Sequence, residues 1–187
     1  ITDDKLPEMK EAAIIVVEDT VREDAVEIIN WFKQNDVAVR VISGDNPLTV
    51  SVIAGKVGIE NAEKYVSLEG MSDAEVIAAA GEYTVFGRVN PDQKALLIKT
   101  IKANGNTVAM TGDGVNDILA MKEADCAVAI AAGSEAARSV AHLVLMDSKF
   151  SSMPKVVREG RQVVNNIQNS SSLFLMKTTM TVFTTIL

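Results

Sequence analysis

The chain predicts an α/β fold: a parallel, Rossmann-like sheet with helices on both faces, followed by a long C-terminal helix. Three observations lead there. Apolar runs that read as buried strands alternate with helical stretches, the pattern of a parallel sheet built from crossover units. Acidic and small polar residues follow those runs, at the carboxyl ends where such sheets bind ligands. Beyond residue 152 only Pro154 and Gly160 interrupt an otherwise unbroken helical stretch.

The elements follow in order. Residues 12–17, "AAIIVV", form a continuous apolar run, as a strand buried on both faces requires. Residues 23–34 read as a helix with Val26, Ile29 and Phe32 on one face, and residues 37–42 as the next strand. Ser43-Gly44-Asp45-Asn46-Pro47 is a loop, and the helix after it stops near Gly58. Ser72-Asp73-Ala74-Glu75 is a capping box that opens an alanine-rich helix, with a short strand at residues 84–86. Pro91 starts a helix through Leu96, Leu97 and Ile101 that Asn104-Gly105 ends. Residues 107–110 are a strand, and a helix begins near Val115. Residues 126–130 and 143–146 are two more strands, with a short helix from Ser134 between them. The final helix, at 1.5 Å per residue, would reach roughly 50 Å and leave the compact domain. Its middle, Asn165 through Ser172, is too polar for lipid. Its end, "LFLMKTTMTVFTTIL" at residues 173–187, is mostly apolar but shorter than the about 20 residues of a span. It reads as a membrane span cut short or as a buried amphipathic helix.

Composition narrows the function. The 187 residues suffice for one domain with a core and an appendage, and 48% apolar with 23% charged residues is ordinary for a globular protein. A net charge of −7 argues against a nucleic-acid-binding surface. One cysteine excludes an intrachain disulfide and suits a reducing compartment. Cys126 lies in an apolar run and reads as a core residue; His142, with no second His or Cys beside it, reads as structural. The polar start, Thr2-Asp3-Asp4-Lys5, has no signal-peptide core, and the missing initiator Met suggests a piece of a longer chain.

Three motifs carry chemistry. Asp113, directly after a strand and flanked by Gly112 and Gly114, offers a hard oxygen ligand suited to Mg²⁺, with Asn116 and Asp117 near to support it. The bland alternative is an Asp/Gly/Asn turn capping the next helix. Ser43-Gly44-Asp45 offers a hydroxyl and backbone N–H groups at a strand-to-helix junction, an arrangement that binds phosphate. Lys94, near the start of a helix, can neutralise a phosphoryl oxygen, or it is a solvated helix lysine.

The order of these parts resembles the haloacid dehalogenase-like phosphotransferases, and among them the P-type (E1-E2) cation-transporting ATPases. "TGDGVND" (residues 111–117) is similar to that family's hinge motif, "RVNPDQK" (88–94) to its lysine-bearing motif, and "SGD" (43–45) to its T-G-D. "EDTVR" (18–22) resembles D-P-P-R, with Asp19 and Arg22 matched and both prolines absent. "EGRQVVNNIQ" (159–168) is similar to the stalk before the fifth transmembrane helix. "AAGSEAAR" (131–138) departs from the family's M-G-x-G-T-x, and no site is carried over there.

The resemblance implies Asp113 as a Mg²⁺ ligand supported by Asn116 and Asp117. It implies Lys94, Ser43 and Gly44 as holders of the phosphoryl group, Asp19 and Arg22 as residues near the nucleotide (ATP) or the interdomain hinge, and Asp45 at the nucleotide-facing rim. It implies residues 1–150 as a phosphorylation domain lacking the strand of its nucleophile, and residues 151–187 as stalk and truncated transmembrane helix. The family's phosphorylated aspartate lies in D-K-T-G-T, and Asp4-Lys5-Leu6-Pro7 is not that motif. The chain alone is therefore expected to be inactive, and to need the missing strand from the N-terminal parts of the same protein. The implied whole is a multi-pass pump of the cell membrane, anchored through its helices, with this domain cytoplasmic and a cation, Ca²⁺ among the candidates, as cargo. Threonines 178, 179, 181, 184 and 185 read as part of an ion path or as ordinary helix packing. Two other readings compete: a soluble haloacid dehalogenase-like phosphatase, and a non-catalytic α/β nucleotide- or metal-binding module.

Overall fold

The computed structural model describes residues 21, 22 and 24–186. The strand expected at residues 12–17, and Asp19, lie outside them. Among the described residues seven helices and six strands alternate: α1 (Ala25–Gln34), β1 (Val41–Ile42), α2 (Pro47–Lys56), β2 (Tyr65–Ser67), α3 (Asp73–Glu82), β3 (Val85–Gly87), α4 (Pro91–Ala103), β4 (Ala109–Gly112), α5 (Ile118–Glu123), β5 (Cys126–Ile130), α6 (Glu135–Val140), β6 (Leu143–Leu145) and α7 (Met153–Ile186). All ladders are parallel. Among the described residues they form two three-stranded sheets, β1-β3-β2 and β4-β5-β6, rather than one continuous sheet.

Helices cover both faces of each sheet, because successive strand residues point to opposite sides. In the first sheet Phe86 packs with Val76, Ala79 and Leu97 of α3 and α4, while its neighbour Val85 packs with Ala54 of α2 and Ala62. In the second, Ala127 and Ala129 face Ala120, Met121 and Ala137 of α5 and α6, while Val128 between them faces Ile28 and Phe32 of α1. Ile42 of β1 and Val108 just before β4 pack against both the Phe86 cluster and the Ala127 cluster. The two sheets therefore share one interior, and α4 lies along the seam with Leu97 on one side and Ile98 on the other.

Several elements differ from the sequence reading, each for a local reason. The strand expected at 37–42 shrinks to Val41–Ile42: Asp36 turns at φ 57° and the Val37 N–H bonds back to Phe32 O at 3.0 Å, so the chain is still closing α1. The strand expected at 107–110 begins two residues later. The Val108 N–H is taken by the Asp125 carboxylate (2.9 Å), and Val108 O accepts from the backbone of Asp125 and Cys126. The edge strand Tyr65–Ser67 escaped the sequence reading; it is three residues long and borders solvent, so it has no apolar run to betray it. The helix expected from Val115 starts as a 3₁₀ turn, Val115–Asp117, before α5. At Ser72 the Glu75 carboxylate accepts both the backbone N–H (2.8 Å) and the hydroxyl (2.7 Å). His142 is structural, as read: its Nδ1 accepts the Ala127 N–H at 2.9 Å. Cys126 packs partly buried beside Val128 and Leu145.

The long helix is present as 34 residues, α7. Met153 is buried at its root, and from Arg158 onward every described residue is exposed. No helix among the described residues is long and apolar enough to cross a membrane. The threonine hydroxyls do not form an open row: Thr178, Thr179, Thr181, Thr184 and Thr185 each donate to the carbonyl four residues earlier.

Asp125 yields a prediction. Its carboxylate is held below the usual carboxylate range first by the Val108 N–H, then by the Lys102 ammonium at 3.0 Å. A depressed folded-state value stabilises the fold above the unfolded value of about 3.9, and that contribution disappears as pH falls through the folded value. Asp125→Asn is expected to lower the urea midpoint at pH 7 and to converge on wild type as the solution is acidified below about pH 4. A variant deficit that stays constant down to acid unfolding would contradict this.

Candidate functional site

The site is assembled at the carboxyl ends of β1, β3 and β4. After β1 the Ser43 N–H continues the ladder to Phe86 O (2.9 Å). The next residues fold into a tight turn: the Ser43 hydroxyl accepts the Asp45 N–H (3.1 Å) and donates to the Asp45 carboxylate (3.2 Å). Asn46 then caps α2 by accepting the Leu48 N–H, with Pro47 at the first helical position. This turn is tied to the β3–α4 connection, since Ser43 O accepts from Val89 N–H (3.1 Å) and Asp45 O from Arg88 N–H (2.9 Å). Gly87 is required here: a Cβ at that position would sit 2.5 Å from the Pro47 backbone. Gly44 is exposed, and its N–H has no partner among the described residues.

The same connection leads to Lys94. Asn90 and Gln93 cap α4 reciprocally, and the Gln93 amide reaches Leu68 O at 2.8 Å, fixing the helix start beside β2. One turn in, Lys94 Nζ lies 2.7 Å from Asp117 Oδ1, with both side chains only 12% exposed. The other Asp117 oxygen accepts the Gly114 N–H at 3.3 Å. Gly112 makes room for that carboxylate, because a Cβ there would stand 2.5 Å from Asp117 Cβ. Asp113, by contrast, is exposed, and its carboxylate has no hydrogen-bond partner among the described residues. Its carbonyl is held from behind by the Ser134 N–H (2.7 Å), and Gly133 approaches so closely that a Cβ would lie 2.9 Å from that oxygen.

The residues singled out from sequence thus divide. Ser43, Gly44, Asp45 and Lys94 are linked through the 88–90 connection, and Lys94 meets Asp117 directly. Asp113 and Asn116 stand exposed on the loop that holds Asp117. Arg22 is not brought to Asp45; its guanidinium approaches Ser148 O at 3.5 Å, beyond β6. Gly133 and Ser134 were passed over in the sequence, where Gly-Ser after a strand and before a helix was the available signal. No group of three His, Cys, Asp or Glu side chains gathers among the described residues. The donor set that remains suits Mg²⁺ chemically: a free carboxylate on Asp113, a second on Asp117 and the Asn116 amide oxygen, on a loop whose glycine is shaped around Asp117. A 170 Å³ cavity opens elsewhere, among Ile29, Lys33, Arg40 and Ile59 at the start of the first sheet's strands.

This arrangement of parallel strands, with carboxylates and a lysine beyond their carboxyl ends, defines a class. The family model for haloacid dehalogenase-like hydrolases matches residues 2–125, and the chain belongs to that family. Among its relatives it is 46% identical, over 174 residues, to a probable cation-transporting ATPase of Streptococcus pneumoniae, covering 93% of this chain and 22% of that protein. It is 44% identical over 176 residues to a calcium-transporting ATPase of Mycolicibacterium smegmatis, covering 94% and 22% respectively. The chain therefore spans about a fifth of the length of these relatives. The crystal structure of a zinc-transporting PIB-type ATPase in the E2.Pi state shares the fold, with a TM-score of 0.65 and 24% identity over 81% of this chain and 21% of that one.

The Lys94–Asp117 contact makes a testable statement. Removing one partner of a largely buried pair strands the other charge and costs about 3 kcal/mol or more. Lys94→Met alone should lower the free energy of unfolding by that amount, and Lys94→Met with Asp117→Asn should recover most of it in a double-mutant cycle. A single variant as stable as wild type would show the pair to be solvent-screened.

Proposed function

We propose that this chain is the second half of the phosphorylation domain of an ATP-driven cation pump, with residues 151–187 forming its stalk. In this reading the whole protein transfers the γ-phosphoryl group of ATP to an aspartate carboxylate outside this chain, releases ADP, and then hydrolyses the aspartyl-phosphate with water. The observation that carries it is the linked group at the strand ends: Ser43-Gly44-Asp45 bonded to the 88–90 connection, that connection capping the helix of Lys94, and Lys94 paired with Asp117 beside an uncommitted Asp113. Relatives named as cation- and calcium-transporting ATPases match more than nine-tenths of the chain, which favours the pump over a free-standing phosphatase.

The roles follow from donor chemistry. An ammonium carries three N–H donors. One of Lys94's points at Asp117, which leaves two for oxygens of the transferred phosphoryl group. The unpartnered Gly44 N–H and the Ser43 hydroxyl supply further donors, and Asp45 would face the nucleotide. Asp113, with Asn116 and Asp117, would hold Mg²⁺, which when bound neutralises charge on the phosphoryl oxygens. Among the described residues β1 and β4 each pair on one side only, and both flank the shared interior at Ile42 and Val108. The strand bearing the nucleophile fits between them, which would deliver its aspartate between Ser43 and Asp113. The protein sits in a membrane with this domain on the cytoplasmic side, and its cargo is a metal cation, Ca²⁺ being the first to test.

The test uses the full-length protein and radiolabelled ATP. Wild type should form an acid-stable, hydroxylamine-sensitive phosphoenzyme that requires Mg²⁺. Asp113→Ala should abolish it, and Lys94→Met should lower its rate of formation by roughly 10²-fold or more, the size expected for a preorganised electrostatic donor. Failure of wild type to incorporate label defeats the pump reading; unchanged Mg²⁺ dependence in Asp113→Ala defeats the metal assignment.

A further inference from the structure

The β5–β6 ladder does not stop at its last pair, Ile130 and Leu145. The Ala131 N–H donates to Leu145 O (3.0 Å), and the Ala132 N–H donates to the Ser148 hydroxyl (3.0 Å). Ser148 holds φ 53°, in the left-handed region uncommon for residues other than glycine, and its own N–H donates to Leu145 O (3.1 Å). On one side this loop abuts Asp113, through Ser134 N–H and the close backbone of Gly133. On the other side it meets the root of α7. The Asp147 carboxylate accepts the Lys149 N–H (3.1 Å) and the Ser152 hydroxyl, bracing the 3₁₀ turn Phe150–Ser152 that precedes buried Met153.

We propose that Ser148 is a positioning residue that fastens the loop behind Asp113 to the root of α7. The contact at Gly133 has no slack, since even a methyl group there would overlap Asp113 O. A change at Asp113 that moves its carbonyl must therefore move residues 131–134. Those residues are fixed at their far end by the Ser148 hydroxyl, so the displacement arrives at the turn that starts the 34-residue helix. Ser148 presents its hydroxyl to Ala132 from this left-handed backbone. This inference rests on the pump reading for the ligand at Asp113, while its residues are not among those assigned to phosphoryl transfer.

Hydrogen exchange of the full-length protein, read by mass spectrometry with and without Mg²⁺ plus beryllium fluoride as phosphate mimic, tests it. In wild type, ligand should slow exchange at residues 111–117, 131–134 and 147–153. Ser148→Gly suits the backbone and deletes only the hydroxyl. It should keep the slowing at 111–117 and weaken that at 147–153 by roughly threefold or more, the size one hydrogen bond supports. Ser148→Asn, which tolerates the same backbone and carries an acceptor, should restore it. Slowing at 111–117 that never reaches 147–153 in wild type, or that reaches it undiminished in Ser148→Gly, overturns this inference alone. Absence of slowing at 111–117 in wild type overturns the pump reading and this inference together.

Discussion

The contact between Lys94 and Asp117 is the constraint around which the site is arranged. Two opposite charges at 2.7 Å, each side chain 12% exposed, compensate one another where burying either alone would be costly. The pair also pins the first turn of α4 to the turn after β4, two segments that come from either side of the seam between the sheets. Gly112 and Gly114 serve the pair rather than loop freedom as such: one clears space for the carboxylate and the other gives it an N–H. With Asp117 so occupied, the free charge of the loop falls on Asp113, which faces solvent at the strand ends.

The packing extends the same logic outward. Ile42 and Val108 touch both apolar clusters, so the ends of β1 and β4 are held at the spacing their common interior sets. Alanines on β5, α5 and α6 let those helices lie close against the second sheet, and a larger residue at 127 or 129 would push them off.

How much of this the sequence revealed follows the range of the interactions. Alternation of strands and helices, the stops at Gly58 and Gly105, both at φ 86°, and the Asn90-Pro91 helix start were legible because each rests on a few neighbouring residues. The motif residues were legible by kind and by order. Their partners were not. Lys94 and Asp117 are far apart in sequence, and "TGDGVND" alone does not reveal that Asp117 also partners the lysine. Strand ends moved wherever a side chain competed for the ladder, as Asp125 does at Val108. Which strands pair within each group was invisible, because no local pattern states it.

The long helix follows from the same local rules but acts over a larger distance. Its root is fixed by Met153, by the Phe150 ring 5.5 Å from Phe32, and by the Asp147 brace; one further contact, Arg161 to Asn35 at 3.4 Å, reaches back to α1. Beyond that point it touches nothing described, and its threonines satisfy their hydroxyls on their own carbonyls. Such an element behaves as a lever. At 1.5 Å per residue it is about 50 Å long, so a tilt of about 5° at its root carries the far end about 4 Å. A tilt that reaches the first turn of α7 would therefore be carried outward in proportion to the length of the helix.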